Sequence, residues 1–326
     1  MIKIAILSNW HVHAKDYINA LLKMKDCEIS VIWDDDKNRG MKMADEFNIP
    51  FESSLEKVLS DNDIDGVVIT SETKKHKELM IKAANAKKHI FSEKIMAFTS
   101  DDCLEIKKAV EENNILFTLS LVYKTNPILI KIKELLSDNV LGKITFGRIR
   151  NAHKGSIAGW LPESFYSKDD CGGGAMIDLG AHPMYLINWY MGEPKSMVSS
   201  FTSVTKKAVE DNAVTLIEFE DGAIAVSETS FVSSCSKFSI EFSGTEGSLY
   251  ANLSDKVIEY KNDSMADWVK ITDFDSFGLK TPLESWVQSV IKNESAPFGT
   301  ADGLILTKFM ECAYNSFETE KRAVYK

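Results

Sequence analysis

The stretch KIAILSNWHVHAKDYINALL, residues 3–22, has the order strand, turn, helix that opens a dinucleotide-binding α/β domain. In that fold the turn usually carries Gly-x-Gly-x-x-Gly, because glycines allow a tight turn and let the backbone approach the pyrophosphate. Here the turn has no glycine and consists of Ser8, Asn9, Trp10, His11, Val12 and His13. The stretch therefore predicts the fold and leaves open whether a dinucleotide binds there.

Downstream of this stretch, short apolar runs alternate with segments whose apolar residues recur every three or four positions. The predicted strands are 2–7, 29–33, 66–69, 89–91 and one within 113–121. The predicted helices are 16–24, 39–47, 54–59, 76–86 and 127–136. Short strands joined by helices of this length form a parallel sheet covered on both faces. We therefore predict a doubly wound α/β Rossmann domain over residues 1–122.

Beyond about residue 140 the pattern changes to long runs of alternating polar and apolar residues, separated by turn signals such as Glu220-Asp221-Gly222. This pattern predicts an α+β domain over residues 123–326, built on a large open, mostly antiparallel sheet. A glycine-preceded helix is expected at 174–191, and a C-terminal pair of helices at 282–292 and 301–318. The sequence leaves open whether that pair packs back on the first domain.

Composition excludes several classes of protein. The 326 residues are 44% hydrophobic and carry a net charge of −10, with no dense basic patch for nucleic acid. No apolar run approaches the roughly 18 residues of a membrane span, and no leader peptide is recognisable at the N-terminus. The five cysteines are scattered, which predicts neither a disulfide framework nor a zinc ribbon. We expect a cytoplasmic protein without nucleic-acid or membrane partners and without a resident metal.

Asp34 follows the second predicted strand, in SVIWDDDKNRG (30–40). In a dinucleotide fold an acid at this point accepts hydrogen bonds from the adenosine ribose and repels a 2′-phosphate, which favours NAD over NADP. Lys37 and Arg39 are near enough to weaken that preference. The alternative is that residues 34–36 only cap the following helix.

Two further strand ends carry polar residues. Glu93 and Lys94 follow the fourth strand, and a lysine there points into the crevice where such folds bind ligands and can stabilise a developing alkoxide. The alternative for Lys94 is a solvated surface lysine. After the third strand lie four candidates that would line the same crevice: Ser71, Glu72, Thr73 and His76. Helix capping explains these four equally well.

The segment CGGGAMIDLGAHPMYLINWYMG, residues 171–192, places Asp178 four residues before His182. On one helix this spacing puts the carboxylate and the imidazole on the same face, as a general base and its orienting acid require. Pro183 interrupts the pattern, so the helix is either kinked there or begins there. The alternative is a capping aspartate and a half-buried histidine.

The order of these pieces resembles the glucose-fructose oxidoreductase / inositol dehydrogenase / MocA family. The resemblance covers nearly the whole chain and includes Gly142-Lys143-Ile144, SGTEGSL (243–249) and Ala301-Asp302-Gly303-Leu304. It implies an NAD(P)-dependent oxidoreductase that moves a hydride between the nicotinamide and the carbinol carbon of a sugar, polyol or similar compound. Lys94 matches the lysine of the family's Glu-Lys-Pro motif, and Asp178 and His182 match its catalytic pair. Implied substrate contacts are Tyr123, Lys124, His153 and Lys154.

Two departures from the family pattern stand out: Ile95 replaces the proline of Glu-Lys-Pro, and the phosphate loop lacks glycine. An alternative register aligns His13-Ala14 with the His-Ala that often opens the family's first helix, which makes the loop about two residues shorter. Ser8, Asn9 and the first amides of the helix would then face the pyrophosphate, since a helix N-terminus attracts phosphate without glycine. We expect Trp10 to turn away from the phosphates and His11 or His13 to face the cofactor, with NAD favoured over NADP.

Two rival functions remain. His11-x-His13 after the first strand is how metal-dependent hydrolases with a (β/α)₈ barrel begin, although such an enzyme needs further histidines on later strands. The chain could instead be a non-catalytic binding or regulatory protein that has lost its dinucleotide. Independently of these rival functions, an open antiparallel sheet predicts a homodimer or homotetramer built through that sheet.

Overall fold

The computed structural model describes residues 1–274 and 279–326. The described chain divides into two compact units. Unit 1 comprises Met1–Leu121 and Lys280–Thr307, and unit 2 comprises Val122–Leu279 and Lys308–Lys326. The last helix therefore contributes its first residues to unit 1 and the remainder to unit 2.

Unit 1 contains, among its described residues, a five-stranded parallel sheet with the strand order β2-β1-β3-β4-β5. Its strands are β1 (Ile2–Leu7), β2 (Cys27–Trp33), β3 (Gly66–Ile69), β4 (His89–Ser92) and β5 (Phe117–Leu119). Its helices are α1 (Ala14–Leu22), α2 (Lys37–Phe47), α3 (Leu55–Ser60), α4 (Thr73–Asn85), α5 (Ser100–Glu112) and α11 (Pro282–Lys292). The order is that of a Rossmann domain, as predicted, and the carboxyl ends of all five strands meet at one edge.

The core of unit 1 explains why α11 belongs to it. Trp286 on α11 is fully buried and packs in one cluster with Ile4, Ile6 and Phe91 of the sheet. A Cβ at Gly66 would come within 3.0 Å of the Trp286 ring, so glycine at the start of β3 admits the indole. α11 begins with Thr281 as its cap and Pro282 in its first turn, the combination that favours a sharp helix start.

Unit 2 is built on a nine-stranded sheet with the order β13-β12-β11-β10-β6-β9-β8-β7-β14, counted over the described residues. The strands are β6 (Ile144–Ala152), β7 (Ser196–Thr202), β8 (Asn212–Glu218), β9 (Ile224–Ser230), β10 (Ser239–Gly244), β11 (Gly247–Asn252), β12 (Val257–Asn262), β13 (Val269–Ile271) and β14 (Ala323–Val324). The pairing is antiparallel except for β6 with β9, which are parallel. The turn between β8 and β9 contains Gly222 at φ 88°, a conformation that glycine adopts without strain.

The helices of unit 2 include two separate helices, α9 and α10, where a single long helix was predicted. The helices of the unit are α6 (Pro127–Ser137), α7 (Gly155–Ala158), α8 (Lys168–Cys171), α9 (Ala175–Asp178) and α10 (Ala181–Met191). The last helix, α12 (Thr300–Thr319), crosses the division between the units. The predicted helix 174–191 is interrupted at Leu179 and Gly180, so Asp178 and His182 lie on different helices. Pro183 falls in the first turn of α10, where its missing amide removes no helical hydrogen bond.

The (β/α)₈ barrel that a His11-x-His13 hydrolase would need is not the fold of this chain, since its described strands form two open sheets. None of the described helices combines the length and apolar character required to traverse a bilayer.

Candidate functional site

The glycine-free loop of unit 1 is held by the ends of its neighbouring strands. Ser8 adopts φ 75°, the left-handed conformation that the first glycine usually supplies. Its amide donates to the Trp33 carbonyl at 2.7 Å, and its own carbonyl accepts from the Thr70 hydroxyl at 2.7 Å. The His11 amide also donates to the Thr70 carbonyl, at 2.9 Å. The loop is therefore anchored to β2 and to the end of β3.

Asp34 is enclosed beneath this loop. Its carboxylate accepts the amide of Asn9 at 2.8 Å and the amide of Asp36 at 2.9 Å. The Arg39 guanidinium binds both carboxylate oxygens, at 2.6 and 2.9 Å, and the Asp34 side chain is 0% exposed. Capping of α2 falls to Asp36, whose side chain accepts the amides of two first-turn residues. Asp34 thus ties the loop to α2.

Beside this pair lies a group of charged residues, of which sequence reasoning had assigned Glu72 to the site but not Asp35 or Lys75. Asp35 accepts Arg39 Nη2 at 3.0 Å and also pairs with Lys75, which binds Glu72 at 2.6 Å. Burial raises the pKa of Asp35, but the hydrogen bond and charge of Lys75, together with Asp34 and Arg39, outweigh burial, so that pKa lies below its ordinary value. The short basic run Lys74-Lys75-His76-Lys77 was the signal in the sequence.

A pocket of about 290 Å³ opens next to the carboxyl end of β2, on the side of the sheet where open α/β folds bind ligands. Its lining includes Trp33, Asp35, Ser53, Leu55, Lys75 and Leu79. Trp10, at the second glycine position, is half-buried, and its amide donates to the Ser8 hydroxyl at 3.2 Å.

Two histidines of the loop converge on Glu93. His13 Nδ1 lies 3.0 Å from Glu93 Oε1, and His11 Nδ1 lies 3.9 Å from the same oxygen. Glu93 is 2% exposed, whereas the His13 side chain is 48% exposed. The other carboxylate oxygen of Glu93 accepts the Lys94 amide at 3.1 Å. Glu93 therefore links the end of β4 to the start of α1.

Tyr17, one turn after His13 on α1, completes this group and was missed in the sequence. Its hydroxyl donates to Glu93 Oε1 and lies 2.7 Å from the Ser120 hydroxyl, which must then donate to it because a phenol has one proton. Burial, followed by the charge of Glu93, holds the Tyr17 pKa well above its usual range. Burial would also raise the Glu93 pKa, but His11 and His13 lower it further, leaving Glu93 ionised.

The residues after β3 support the Lys94 segment. His76 is buried, with Nδ1 2.8 Å from the Ile95 carbonyl and Nε2 3.2 Å from the Ser71 carbonyl. Burial lowers the pKa of His76 against the effect of these carbonyls. Glu72 precedes α4 as its N-terminal cap residue, and Thr73 is the first residue of that helix. Lys94 itself is 6% exposed, so it is not a solvated surface lysine.

Unit 2 contains a second group, centred on His182. This imidazole is buried, and its Nδ1 lies 3.0 Å from the Tyr185 hydroxyl. The Tyr185 oxygen also accepts the amide of Tyr123 at 3.2 Å, and the Tyr123 ring meets the imidazole edge to face with centroids 4.8 Å apart. Sequence reasoning found His182 and Tyr123. It missed Tyr185, although a tyrosine three residues after a histidine on a helix is its neighbour.

Asn151 on β6 extends this group. Burial raises the Tyr123 pKa, and the Asn151 side chain opposes that shift. Asn151 is 8% exposed. β6 therefore brings a buried polar side chain near Tyr123.

Asp178 and His153 form another pair within unit 2. Burial lowers the pKa of His153, and the negative charge of Asp178 opposes that shift. His153 stacks on Phe231 with ring centroids 5.1 Å apart, and its Nδ1 accepts the Gly155 amide at 3.0 Å. Lys154 is exposed at the start of α7, and Lys124 is half-buried within the short 3₁₀ helix Val122–Thr125.

Comparison with protein families gives two matches in the expected order. Residues 9–120 match the model described as an oxidoreductase family with an NAD-binding Rossmann fold. Residues 129–250 match the GFO/IDH/MocA C-terminal domain. The first match begins inside the glycine-free loop, and the two together span parts of both units.

Individual proteins resemble the chain over most of its length. A 1,5-anhydro-D-fructose reductase of Ensifer adhaerens is 23% identical over 242 residues, 72% of either chain. A scyllo-inositol 2-dehydrogenase (NAD(+)) of Bacillus subtilis is 25% identical over 248 residues, covering 74% of this chain and 70% of the relative. The fold matches levoglucosan dehydrogenase in complex with NADH and L-sorbose at a TM-score of 0.88, with 19% identity, over 100% of this chain and 99% of that one.

Proposed function

This chain belongs to the glucose-fructose oxidoreductase / inositol dehydrogenase / MocA family of NAD-binding oxidoreductases, and we propose that it oxidises or reduces a carbinol carbon of a sugar, polyol or similar hydroxy compound. The observation that carries the proposal is the family match in both units, in the same order as in the family. Unit 1 would bind the cofactor and unit 2 the substrate.

NAD, when bound, accepts or returns a hydride at the nicotinamide ring. The residues we propose to hold it are Ser8, Asn9 and the first amides of α1 at the pyrophosphate, with Asp35, Arg39 and Lys75 beside the adenosine ribose. Asp34 would act from beneath, because its carboxylate holds Arg39 and the loop in place. The excess of carboxylates here favours NAD over NADP.

In unit 2 we propose His182 as the base that takes the hydroxyl proton at Nε2. This requires Nδ1 to keep its own proton and donate it to the Tyr185 oxygen, 3.0 Å away. Asp178 would position the substrate through its negative charge, and His153 would also contact the substrate. In unit 1 we propose that the Lys94 ammonium stabilises the substrate oxygen as it becomes negative. The family pattern supports this division of roles.

The substrate class is supported by the relatives, whose names include reductases and dehydrogenases of anhydro-sugars and inositols. Hydroxyl-rich molecules need donors and acceptors on the protein, and unit 2 offers both. Tyr123, Asn151, His153 and the ammonium groups of Lys124 and Lys154 are the contacts we propose. No sequence feature selects one sugar among these.

We also propose a homodimer or homotetramer built through the nine-stranded sheet. One face of this sheet exposes Val198, Val214, Leu216 and Tyr250, each at least 37% accessible. Val198 pairs directly with Leu216 across β7 and β8, so the apolar residues adjoin one another. Self-association would bury them.

The free thiols of all five cysteines fit a reducing compartment such as the cytoplasm.

Fluorescence titration with NADH, followed by assays with a panel of sugars and inositols, tests the function. We expect saturable NADH binding and turnover of at least one polyol that His182→Ala removes while NADH still binds. Absence of NADH binding at millimolar concentration would contradict the proposal and favour a binding protein without redox chemistry. Binding without turnover of any hydroxy compound would contradict the assigned substrate class.

A further inference from the structure

The loop of unit 1 contains a set of side chains that the proposed hydride transfer does not use. His11, His13 and Glu93 each turn a possible metal-binding atom toward the others, and these atoms all lie within 4.8 Å of one another. The histidines come from the turn before α1, and Glu93 follows β4, eighty residues after His13. We propose that these three residues bind one divalent transition-metal ion, with zinc as the representative. The proposal goes beyond the proposed hydride transfer, although the site lies in the loop that we propose to hold the pyrophosphate.

The spacing of the three atoms suits such an ion. Bonds of about 2.0–2.1 Å to a tetrahedral zinc place ligand atoms about 3.3 Å apart. The two separations from Glu93 Oε1, 3.0 Å to His13 Nδ1 and 3.9 Å to His11 Nδ1, lie on either side of that value, and all three ligand atoms lie within 4.8 Å of one another. Small side-chain rotations would therefore close the site without moving the strands.

The hydrogen bonding of His11 fixes which of its nitrogens can bind an ion. Its Nδ1 accepts the backbone amide of His13 at 3.2 Å, so in the neutral ring this nitrogen carries no proton. The same nitrogen lies 3.9 Å from a carboxylate oxygen of Glu93. Coordination would exchange the bond from the His13 amide for a bond to the ion, and the negative charge of Glu93 would attract that ion.

The donor types select the class of ion. Two imidazoles with one carboxylate form the set found in catalytic zinc sites, and in iron(II) sites with a facial arrangement. Magnesium and calcium prefer oxygen-only ligands, so they would bind poorly here. Three protein ligands leave a fourth position open for an oxygen atom from water or from a small molecule.

The surroundings orient Glu93 as metal ligands are oriented elsewhere. Tyr17 donates to Oε1, with Ser120 2.7 Å behind it, and the Lys94 amide donates to Oε2 at 3.1 Å. Such outer hydrogen bonds fix the direction of a coordinating carboxylate. The half-exposed His13 gives an ion access from solvent, while Glu93 and His11 lie below the surface. A route of entry is thus present.

Metal titration tests the site. Protein without a histidine tag is stripped with chelator and titrated with Co²⁺, followed by visible absorption, and with Zn²⁺ in competition with a chromophoric chelator. We expect one ion per chain with a Kd below about 1 μM. His13→Ala and Glu93→Gln should each weaken binding by more than about 100-fold, and Tyr17→Phe by about tenfold. Circular dichroism confirms that each variant remains folded.

The matched control is His89→Ala, a half-buried histidine at the opposite end of β4, which should retain the full affinity of the parent protein. The exposed position of His13 makes His13→Ala the decisive variant, because its loss removes little packing. Binding weaker than about 100 μM, or binding that His13→Ala leaves unchanged, would overturn the site. In that event the cluster is a carboxylate–imidazolium group alone.

Discussion

The guanidinium of Arg39 holds both carboxylate oxygens of Asp34, with Nη2–Oδ1 at 2.6 Å and Nε–Oδ2 at 2.9 Å, beneath the loop that replaces the glycine-rich turn. Removing one member of a buried ion pair costs about 3–5 kcal/mol when the other charge is left uncompensated. Arg39 would keep the partly exposed Asp35 as a partner, so the loss should lie at the lower end of that range. Asp34→Ala should therefore lower the free energy of urea unfolding by about 3 kcal/mol or more. It also removes the acceptor of the Asn9 amide.

Its control is Glu46→Ala, which breaks the surface pair with Lys15. Exposed pairs of this kind contribute about 0–1 kcal/mol. If the two variants lose equal stability, the anchoring role of Asp34 is wrong.

We expect Asp35 to govern the choice between NAD and NADP. Its carboxylate occupies Arg39 and Lys75, the two cations at the proposed ribose position. Asp35→Ser leaves both cations able to bind a 2′-phosphate, so the ratio of kcat/KM for NADP to that for NAD should rise by about tenfold or more, a change of about 1.4 kcal/mol. The ratio is measured with one substrate at fixed ionic strength. A ratio that stays constant would show that the ribose lies elsewhere.

The strength of the sequence patterns decided which parts of the fold could be predicted. Residues 66–69 and 282–292 have the predicted bounds, because an apolar run and a Thr-Pro helix start are purely local signals. The strand predicted within 113–121 is shorter, at Phe117–Leu119, since Asn114 adopts φ 52° after α5 and reverses the chain first.

The site was less predictable because its partners meet only through the fold. His11 and His13 were visible from their spacing, but nothing local connects them to Glu93 or to Ser120. Asp34 was recognised by position, yet its enclosure by Arg39 depends on how α2 packs. Tyr17 and Tyr185 could have been found, since each lies one helical turn from a chosen histidine.

Glu228 should control the acid sensitivity of unit 2. Burial raises its pKa, but hydrogen bonds from Arg148 at 2.7 Å and from Arg150 at 3.0 Å lower it further, to below the ordinary value. A carboxyl with a lowered folded pKa stabilises the fold above its unfolded pKa of about 4.3, and that contribution disappears as the pH falls through the folded pKa. Urea midpoints measured from pH 7 downward should therefore fall less steeply below about pH 4.3 for Glu228→Gln.

Glu220→Gln is the matched control, because Glu220 is exposed in the turn after β8. Its pH dependence should follow that of the parent chain. Parallel curves for the parent and Glu228→Gln would contradict the role of the two arginines.

Leu216 lies in the apolar face through which we propose that the chain self-associates. Leu216→Glu places a charge directly opposite Val198, where burial against a second copy would require its desolvation. We expect the variant to sediment as a monomer with an unchanged unfolding midpoint, because Leu216 is 37% exposed in the single chain. Leu279→Glu, an exposed apolar residue outside the sheet, should leave the sedimentation coefficient unaltered.

We expect Tyr185 to act as a positioning residue for His182. The Tyr185 oxygen accepts the Tyr123 amide and lies 3.0 Å from His182 Nδ1, so it can hold the Nδ1 proton and leave Nε2 as the base. A hydrogen bond of about 1–1.5 kcal/mol that supports the transition state corresponds to about tenfold in rate, which is the fall in kcat expected for Tyr185→Phe. Affinity for NADH should not change.

The pH profile separates this role from a merely structural one. The Tyr185 oxygen stabilises protonated His182 by accepting from Nδ1, so its removal lowers the pKa of the imidazole and moves the acid limb of kcat/KM to lower pH. Tyr190→Phe, on the same helix, loses a hydrogen bond to the Leu129 carbonyl at 3.0 Å and should lower stability without moving that limb. If the acid limb of kcat/KM moves equally in both variants, or in neither, Tyr185 only stabilises the helix and does not fix the tautomer of His182.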